Sequence, residues 1–254
     1  MSRRKSFFES SNPVMKDEAY QQAAQDAMAT GQAGVIAERM TVSGAVNKSF
    51  ILTGIMLVTA IVGFAMPSSL FMWGGALVGL GVVIFASFKP HLSPTLAPIY
   101  AAVEGLFVGS VSAMYAAAFS GIVFQAVSLT MAVLFLMLFF YKTGMIKVTQ
   151  KFRSGVMMAT GAIFVVYMLS FALSFFGISI PYLHEGGLMG IGISLLIIGV
   201  ASMNLLLDFD NFEKGEKYGA PKYMEWFSAM GLLITLVWLY VEILRLIAIF
   251  SSSD

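Results

Sequence analysis

The sequence contains no cysteine and few charged residues. Of its 254 residues, 11% are charged and 58% are hydrophobic, whereas soluble domains carry roughly 25% charged residues. Without cysteine, the chain has no disulfides, thiolate metal sites or thiol nucleophiles. The net charge of +1 argues against a nucleic-acid partner, which calls for clustered Lys and Arg. So apolar a chain cannot cover its surface with polar groups in water, and a bilayer removes that need.

The motifs of the common enzyme classes are also missing. The sequence has no Gly-x-Ser-x-Gly elbow, no P-loop and no dinucleotide-binding fingerprint. His91 and His184 are single residues in separate loops, and neither has the second histidine of a zinc motif. We therefore predict that the protein is not an enzyme and needs no cofactor.

Seven apolar runs, separated by short polar breaks, dominate the rest of the chain. Crossing a hydrocarbon core of about 30 Å takes about 20 helical residues, and only the first run is shorter, unless 47–49 join it. A barrel would instead show alternating segments of about ten residues. We predict an all-α bundle of seven transmembrane helices over 49–254, after a polar cytoplasmic arm at 1–48. In that arm a short helix over 17–28 and a disordered tether both remain open. The runs cover residues 50–66, 68–88, 96–118, 121–141, 155–177, 187–207 and 226–250.

Basic residues are confined to alternate loops. The arm carries six Lys and Arg, and the loops at 89–95, 142–154 and 209–225 carry one, four and three. The other loops and the tail carry none, so fourteen of the fifteen basic residues lie on one side. Because cytoplasmic loops are enriched in Lys and Arg, we predict a cytoplasmic N-terminus and an external C-terminus.

Carboxylates within or beside the predicted spans are candidate functional residues, because an ionisable group in a membrane is costly. Glu104 lies about 12 Å along the third span at 1.5 Å per residue. It is either functional or a neutral carboxyl hydrogen-bonded inside the bundle. Asp208 ends the sixth span and begins an acidic stretch with Asp210 and Glu213, and Glu225 follows. Acidic residues are unfavourable at a helix C-terminus, so this stretch indicates a function, although a solvated acidic loop is the alternative.

Glu242 and Arg245 are three residues apart in the last span, so they share a helix face and can form an ion pair. Counted from Trp226, Glu242 lies about 24 Å along the helix, in the outer half of the membrane. We expect this pair to be structural.

Small residues four apart favour close helix packing in lipid. Here we expect them to pack one compact monomer rather than an obligate oligomer. The pairs are Gly75 and Gly79, Gly105 and Gly109, and Gly186 and Gly190.

Three short motifs stand out in these segments: Leu-Leu-Asp at 206–208, Leu-Tyr-Val-Glu-Ile at 239–243 and Glu-Gly at 104–105. They resemble motifs of the Bax inhibitor-1 family. With the order of seven spans, they make residues 45–254 similar to the bacterial YccA-like branch of that family. The resemblance implies a central last helix, a bacterial inner membrane and a proton-sensitive calcium leak.

The resemblance also implies that two acidic residues, from the sixth and seventh helices, share a proton and hold a pore closed. Two carboxylates close together in a low dielectric cannot both ionise. Asp208 matches the sixth-helix acid. By motif the seventh-helix position is Glu242, whereas counting back from the chain's end gives Thr235, two turns or about 10 Å away. Both remain open.

Our leading hypothesis is a proton-sensitive cation leak, gated at the inner mouth with Asp208 as its essential residue and Glu104 as its expected neighbour across the bundle. Its expected partners are membrane lipid, protons and calcium, and Asp208 is the ligand if calcium binds. One alternative is a proton-coupled secondary transporter that uses Glu104 and Asp208 as a relay. The other is a non-transporting regulator of other membrane proteins.

Overall fold

The computed structural model describes residues 39–174 and 187–252. These residues form seven helices that are long and apolar enough to cross a membrane, so the predicted all-α membrane bundle is confirmed. The helix proposed over 17–28 lies outside the described residues. The helices are α1 (Val42–Ala65), α2 (Gly75–Phe88, after a π-helical turn at Leu70–Gly74), α3 (Ser93–Ala118, after a 3-10 turn at Pro90–Leu92), α4 (Ile122–Lys142), α5 (Gln150–Ser174), α6 (Leu188–Lys217) and α7 (Tyr223–Ser251).

Helix α1 begins earlier than the apolar run at 50–66 suggests. Thr41 is its N-cap, and its hydroxyl accepts a hydrogen bond from the Gly44 N–H at 2.9 Å. The Glu225 carboxylate accepts a further bond from the Thr41 N–H at 3.1 Å. Free N–H groups at a helix start favour such acceptors, so the helix extends into polar sequence.

Helix α6 continues to Lys217, past the predicted end at 207, so the expectation that Asp208 lies at a helix C-terminus is wrong. Asp210 and Lys214 pair across one turn at 3.1 Å, which stabilises the extension. Lys214 and Lys217 also lie in the last turn, where cations suit the helix dipole. The unfavourable dipole inferred for the acidic stretch therefore does not apply.

Helix α7 occupies the centre of the bundle. It packs on α1, α3, α4 and α6, whereas α5 packs mainly on α6. In the most apolar stretch of each helix, 61% of the residues are buried in α7 and 6% in α5. The central last helix that the resemblance implies is therefore present in the fold.

Glycines let α1 and α3 approach closely. A Cβ atom on Gly105 or Gly109 would overlap the backbone of α1, and one on Gly63 would overlap the backbone of α3 at Leu106. The Ser110 hydroxyl also donates to the Gly63 carbonyl at 3.2 Å. The predicted use of this glycine pair for packing within one chain is confirmed.

Candidate functional site

Asp208 is a buried carboxylate between α6 and α7. Its side chain is 7% exposed, and its Oδ1 lies 3.8 Å from the position that a Cβ on Gly231 would take. One turn further along α7, the Thr235 hydroxyl interacts with the same carboxylate. Within the described residues, Asp208 Oδ2 has no hydrogen-bond partner. The α7 neighbour of Asp208 is thus Thr235, the position found by counting from the chain's end.

Arg153 of α5 supplies the positive charge of this region. It is 3% exposed, forms an ion pair with Asp210 and donates to Asn211 Oδ1 at 2.9 Å. Its guanidinium also lies close enough to Asp208 to attract the carboxylate. Arg153 was not predicted as a site residue, because in the sequence it belongs to the polar loop at 142–154, whereas in the structure α5 begins at Gln150.

The remaining candidate acids lie elsewhere. Glu213 is exposed, beside the Tyr141 hydroxyl of α4. Glu225 is 2% exposed, and the Thr41 hydroxyl donates to it at 3.2 Å, in addition to the Thr41 N–H. Glu225 therefore holds the start of α1 against the start of α7. Of the other predicted acids, Asp210 shares a neighbour with Asp208, because Arg153 pairs with Asp210 and also attracts Asp208.

Glu104 is buried on α3 but faces α2. Its Oε2 lies 2.6 Å from the position that a Cβ on Gly79 would take, so it fills the space left by that glycine. Helix α3 packs on α1, α2 and α7 rather than on α6. The electrostatic surroundings of Glu104 and of Asp208 do not include each other. The expected meeting of these two carboxylates across the bundle does not occur in this structure.

Glu242 and Arg245 form the predicted ion pair, at 2.8 Å between Oε1 and Nη2. Tyr167 of α5 donates its hydroxyl to Glu242 Oε2 at 3.0 Å and accepts a bond from Arg245 Nη1 at 2.9 Å. Arg245 Nη2 also donates to the Ser194 hydroxyl of α6 at 3.0 Å. Glu242 is therefore engaged two turns from Thr235, about 10 Å along α7, and is not the partner of Asp208.

No resident metal site is built into the described part of the chain. Those residues contain no group of three or more His, Cys, Asp or Glu side chains that could hold a metal ion.

Comparison with known proteins assigns the chain to a family. A family model described as Bax inhibitor 1 like matches residues 12–252. The chain belongs to the Bax inhibitor-1 family. No curated protein and no solved structure matches it. In this Bax inhibitor-1 family member, a threonine stands opposite the acidic residue of the sixth helix.

Proposed function

We propose that this Bax inhibitor-1 family member is a proton-sensitive cation leak, with calcium as the permeating ion and Asp208 as the residue whose protonation opens it. The observation that carries this proposal is the placement of Asp208. It is a buried carboxylate at the junction of α6 with the central helix, and among residues 39–174 and 187–252 one of its oxygens has no hydrogen-bond partner. A buried ionisable group in a membrane helix marks ion and proton pathways.

The direction of the pH effect follows from the neighbours of Asp208. When ionised, Asp208 attracts the Arg153 guanidinium and helps to hold α5 against α6. Protonation removes that attraction, so we expect flux to rise as pH falls. The charged group that acts on Asp208 is Arg153 from α5. Arg153 is itself paired with Asp210 of α6, which also pairs with Lys214. Tyr141 from α4 lies beside Glu213 and close to Asp210 and Arg153. From α7 it meets Gly231 and Thr235, which carry no charge.

The cellular setting belongs to the same proposal. We infer a bacterial inner membrane, a cytoplasmic N-terminus and an external C-terminus from the loop charges and the resemblance to the YccA-like branch. Asp208 would then lie towards the cytoplasmic side. We also infer a monomer in lipid, with protons and calcium as its small-ion partners and any membrane-protein partner unidentified.

The two alternative functions receive less support. A proton relay from Glu104 to Asp208 would need the two carboxylates to communicate, and they face different helices. A regulator without transport activity has no use for a buried carboxylate oxygen that lacks a hydrogen bond, because such an oxygen destabilises the fold.

Reconstitution of the purified protein into liposomes loaded with a calcium-sensitive dye tests the proposal. The parent chain should admit calcium faster as pH falls. Asp208→Asn removes the ionisable group and resembles its neutral form, so it should leak at a high rate that pH does not change. Glu213→Gln is the matched control, because Glu213 is an exposed acid on the same helix, and it should keep the parent's pH response. Calcium entry no faster than in empty liposomes at every pH would refute the leak.

A further inference from the structure

Polar side chains on α5, α6 and α7 face one another along most of the bundle's length. Those on α5 recur every seven residues, or about two helical turns. On α7 the first two members are also seven residues apart, and the third follows one turn later, so each set lies along one face of its helix. We call the whole set the polar seam. It consists of Arg153, Thr160 and Tyr167 from α5, Ser194, Asn204, Asp208, Asp210 and Asn211 from α6, and Thr235, Glu242 and Arg245 from α7.

Side-chain contacts join the seam at three levels. At one end, Arg153 of α5 binds Asp210 and Asn211 of α6. In the middle, Asn204 Nδ2 donates to the Thr160 hydroxyl at 2.8 Å. At the other end, Tyr167, Ser194, Glu242 and Arg245 form the cluster described above.

The seam is long enough to matter for passage through a membrane. Ser194 and Asn211 are seventeen residues apart on α6, which corresponds to about 25 Å of helix. A hydrocarbon core is about 30 Å thick. The seam therefore extends through most of the membrane's depth.

The middle of the seam contains buried oxygens that lack donors. Asn204 is 2% exposed, and its Nδ2 also donates to the Val200 carbonyl at 2.9 Å. Because Nδ2 donates both of these bonds, the orientation of the side-chain amide is fixed, and Oδ1 is the atom that neither bond uses. Within the described residues, Asn204 Oδ1 and Asp208 Oδ2 have no hydrogen-bond partner. Buried acceptors of this kind usually bind water or another donor, and a small cation would serve equally.

Helix α5 is the least tightly held side of the seam. Helix α5 packs mainly on α6, and its backbone does not pack closely along α7. Tyr167 nevertheless bridges from α5 to Glu242 and Arg245 of α7. The α5–α7 side of the seam is therefore closed by polar side chains rather than by packed backbones.

We propose that the polar seam is the water-accessible route through the bundle for protons and small cations. Thr160, Asn204 and Thr235 line its narrow middle, and the Tyr167–Glu242–Arg245 cluster closes the end remote from Asp208. The inference that ions use this route rests on the proposed leak function. Whether water reaches the route can be measured independently of calcium flux.

The absence of cysteine makes the measurement direct, since a single introduced thiol is the only one in the chain. Thr160→Cys and Thr235→Cys place near-isosteric thiols in the middle of the seam. Met158→Cys is the control, because Met158 lies two residues away on α5 and is 63% exposed on the apolar outer surface. Each variant, in liposomes, is treated with a positively charged methanethiosulfonate reagent, and adduct formation is followed by mass spectrometry.

Thiol reagents of this type react with the thiolate, which forms in water and not in lipid, so the seam thiols should react at least roughly tenfold faster than the control. Because every thiolate becomes scarcer as pH falls, the seam rates are compared with the Met158→Cys rate at the same pH, and this ratio should rise at the pH that increases calcium entry. Seam thiols that react no faster than Met158→Cys would overturn the route. If calcium entry is pH-dependent in those same liposomes, the leak stands and its path lies elsewhere. Reactive seam thiols without calcium entry would leave the route in place and refute the leak.

Discussion

Replacing Glu242 with glutamine should destabilise the bundle, because Arg245 would keep its charge in a poorly solvated place. Glu242 is 3% exposed, and the two side chains are 2.8 Å apart. Removing one partner of a buried ion pair costs about 3–5 kcal/mol in soluble proteins. The Arg245 side chain is 17% exposed and keeps its bonds to Tyr167 and Ser194. We therefore expect a loss nearer 2–3 kcal/mol, slightly below that range.

The double variant Glu242→Gln with Arg245→Met removes both charges and should recover most of the lost stability. Equilibrium unfolding in mixed micelles, followed by circular dichroism, gives the free energies for the cycle. Tyr167→Phe is a useful control, since it removes only the bridging hydroxyl. Single hydrogen bonds between membrane helices average about 0.6 kcal/mol, so this variant should cost much less than Glu242→Gln.

Two results would refute the reasoning. A double variant no more stable than Glu242→Gln would show that the uncompensated charge of Arg245 is not the cause of the loss. A Glu242→Gln loss as small as that of Tyr167→Phe would show that the pair contributes little beyond one hydrogen bond.

Three further predictions follow from packing, capping and charge. Gly109→Ala should destabilise the bundle by about 1–3 kcal/mol, because the added Cβ meets the α1 backbone. Gly54→Ala is the control and should not destabilise it, because a Cβ there meets nothing within 4 Å. Equal unfolding midpoints for the two variants would contradict this prediction. Glu225→Ala should lower the free energy of unfolding by about 1–2 kcal/mol, because the hydrogen bonds to the start of α1 are lost. Glu216→Ala removes one longer hydrogen bond to the same helix and should lower the free energy of unfolding by less. A reporter fused after residue 254 should be active only as an external reporter, and a cytoplasmic signal would overturn the topology.

The apolar runs predict the number of helices well, because in lipid the chain must both match the core thickness and satisfy its backbone hydrogen bonds. Helix ends are less predictable, because they depend on contacts with distant segments. Glu225 lies 184 residues from the Thr41 that it binds, and no local signal announces that contact. Arg153, Asp210 and Lys214 likewise stabilise helical segments that read as polar loops in the sequence.

The candidate site was predictable in part. A carboxylate at 208 and an acid–base pair at 242 and 245 are visible as costly residues in apolar sequence. The α7 neighbour of Asp208 was not predictable, because the motif indicated Glu242 and counting from the chain's end indicated Thr235. Only the packing of α6 on α7 decides between these two positions. Arg153, Thr160 and Tyr167 are spaced seven residues apart, and this spacing is a sequence signal that could have added α5 to the predicted site.

The pH midpoint of calcium entry in Asp208→Asn and Glu242→Gln tests the central claim most directly. Both variants remove one carboxylate from the α5–α7 region, at opposite ends of the seam. If Asp208 is the residue that senses protons, Asp208→Asn abolishes the pH response. Glu242→Gln then changes the rate of entry but leaves the midpoint at the parent's value. An Asp208→Asn protein that titrates like the parent, or a Glu242→Gln protein that loses its pH dependence, would contradict the account.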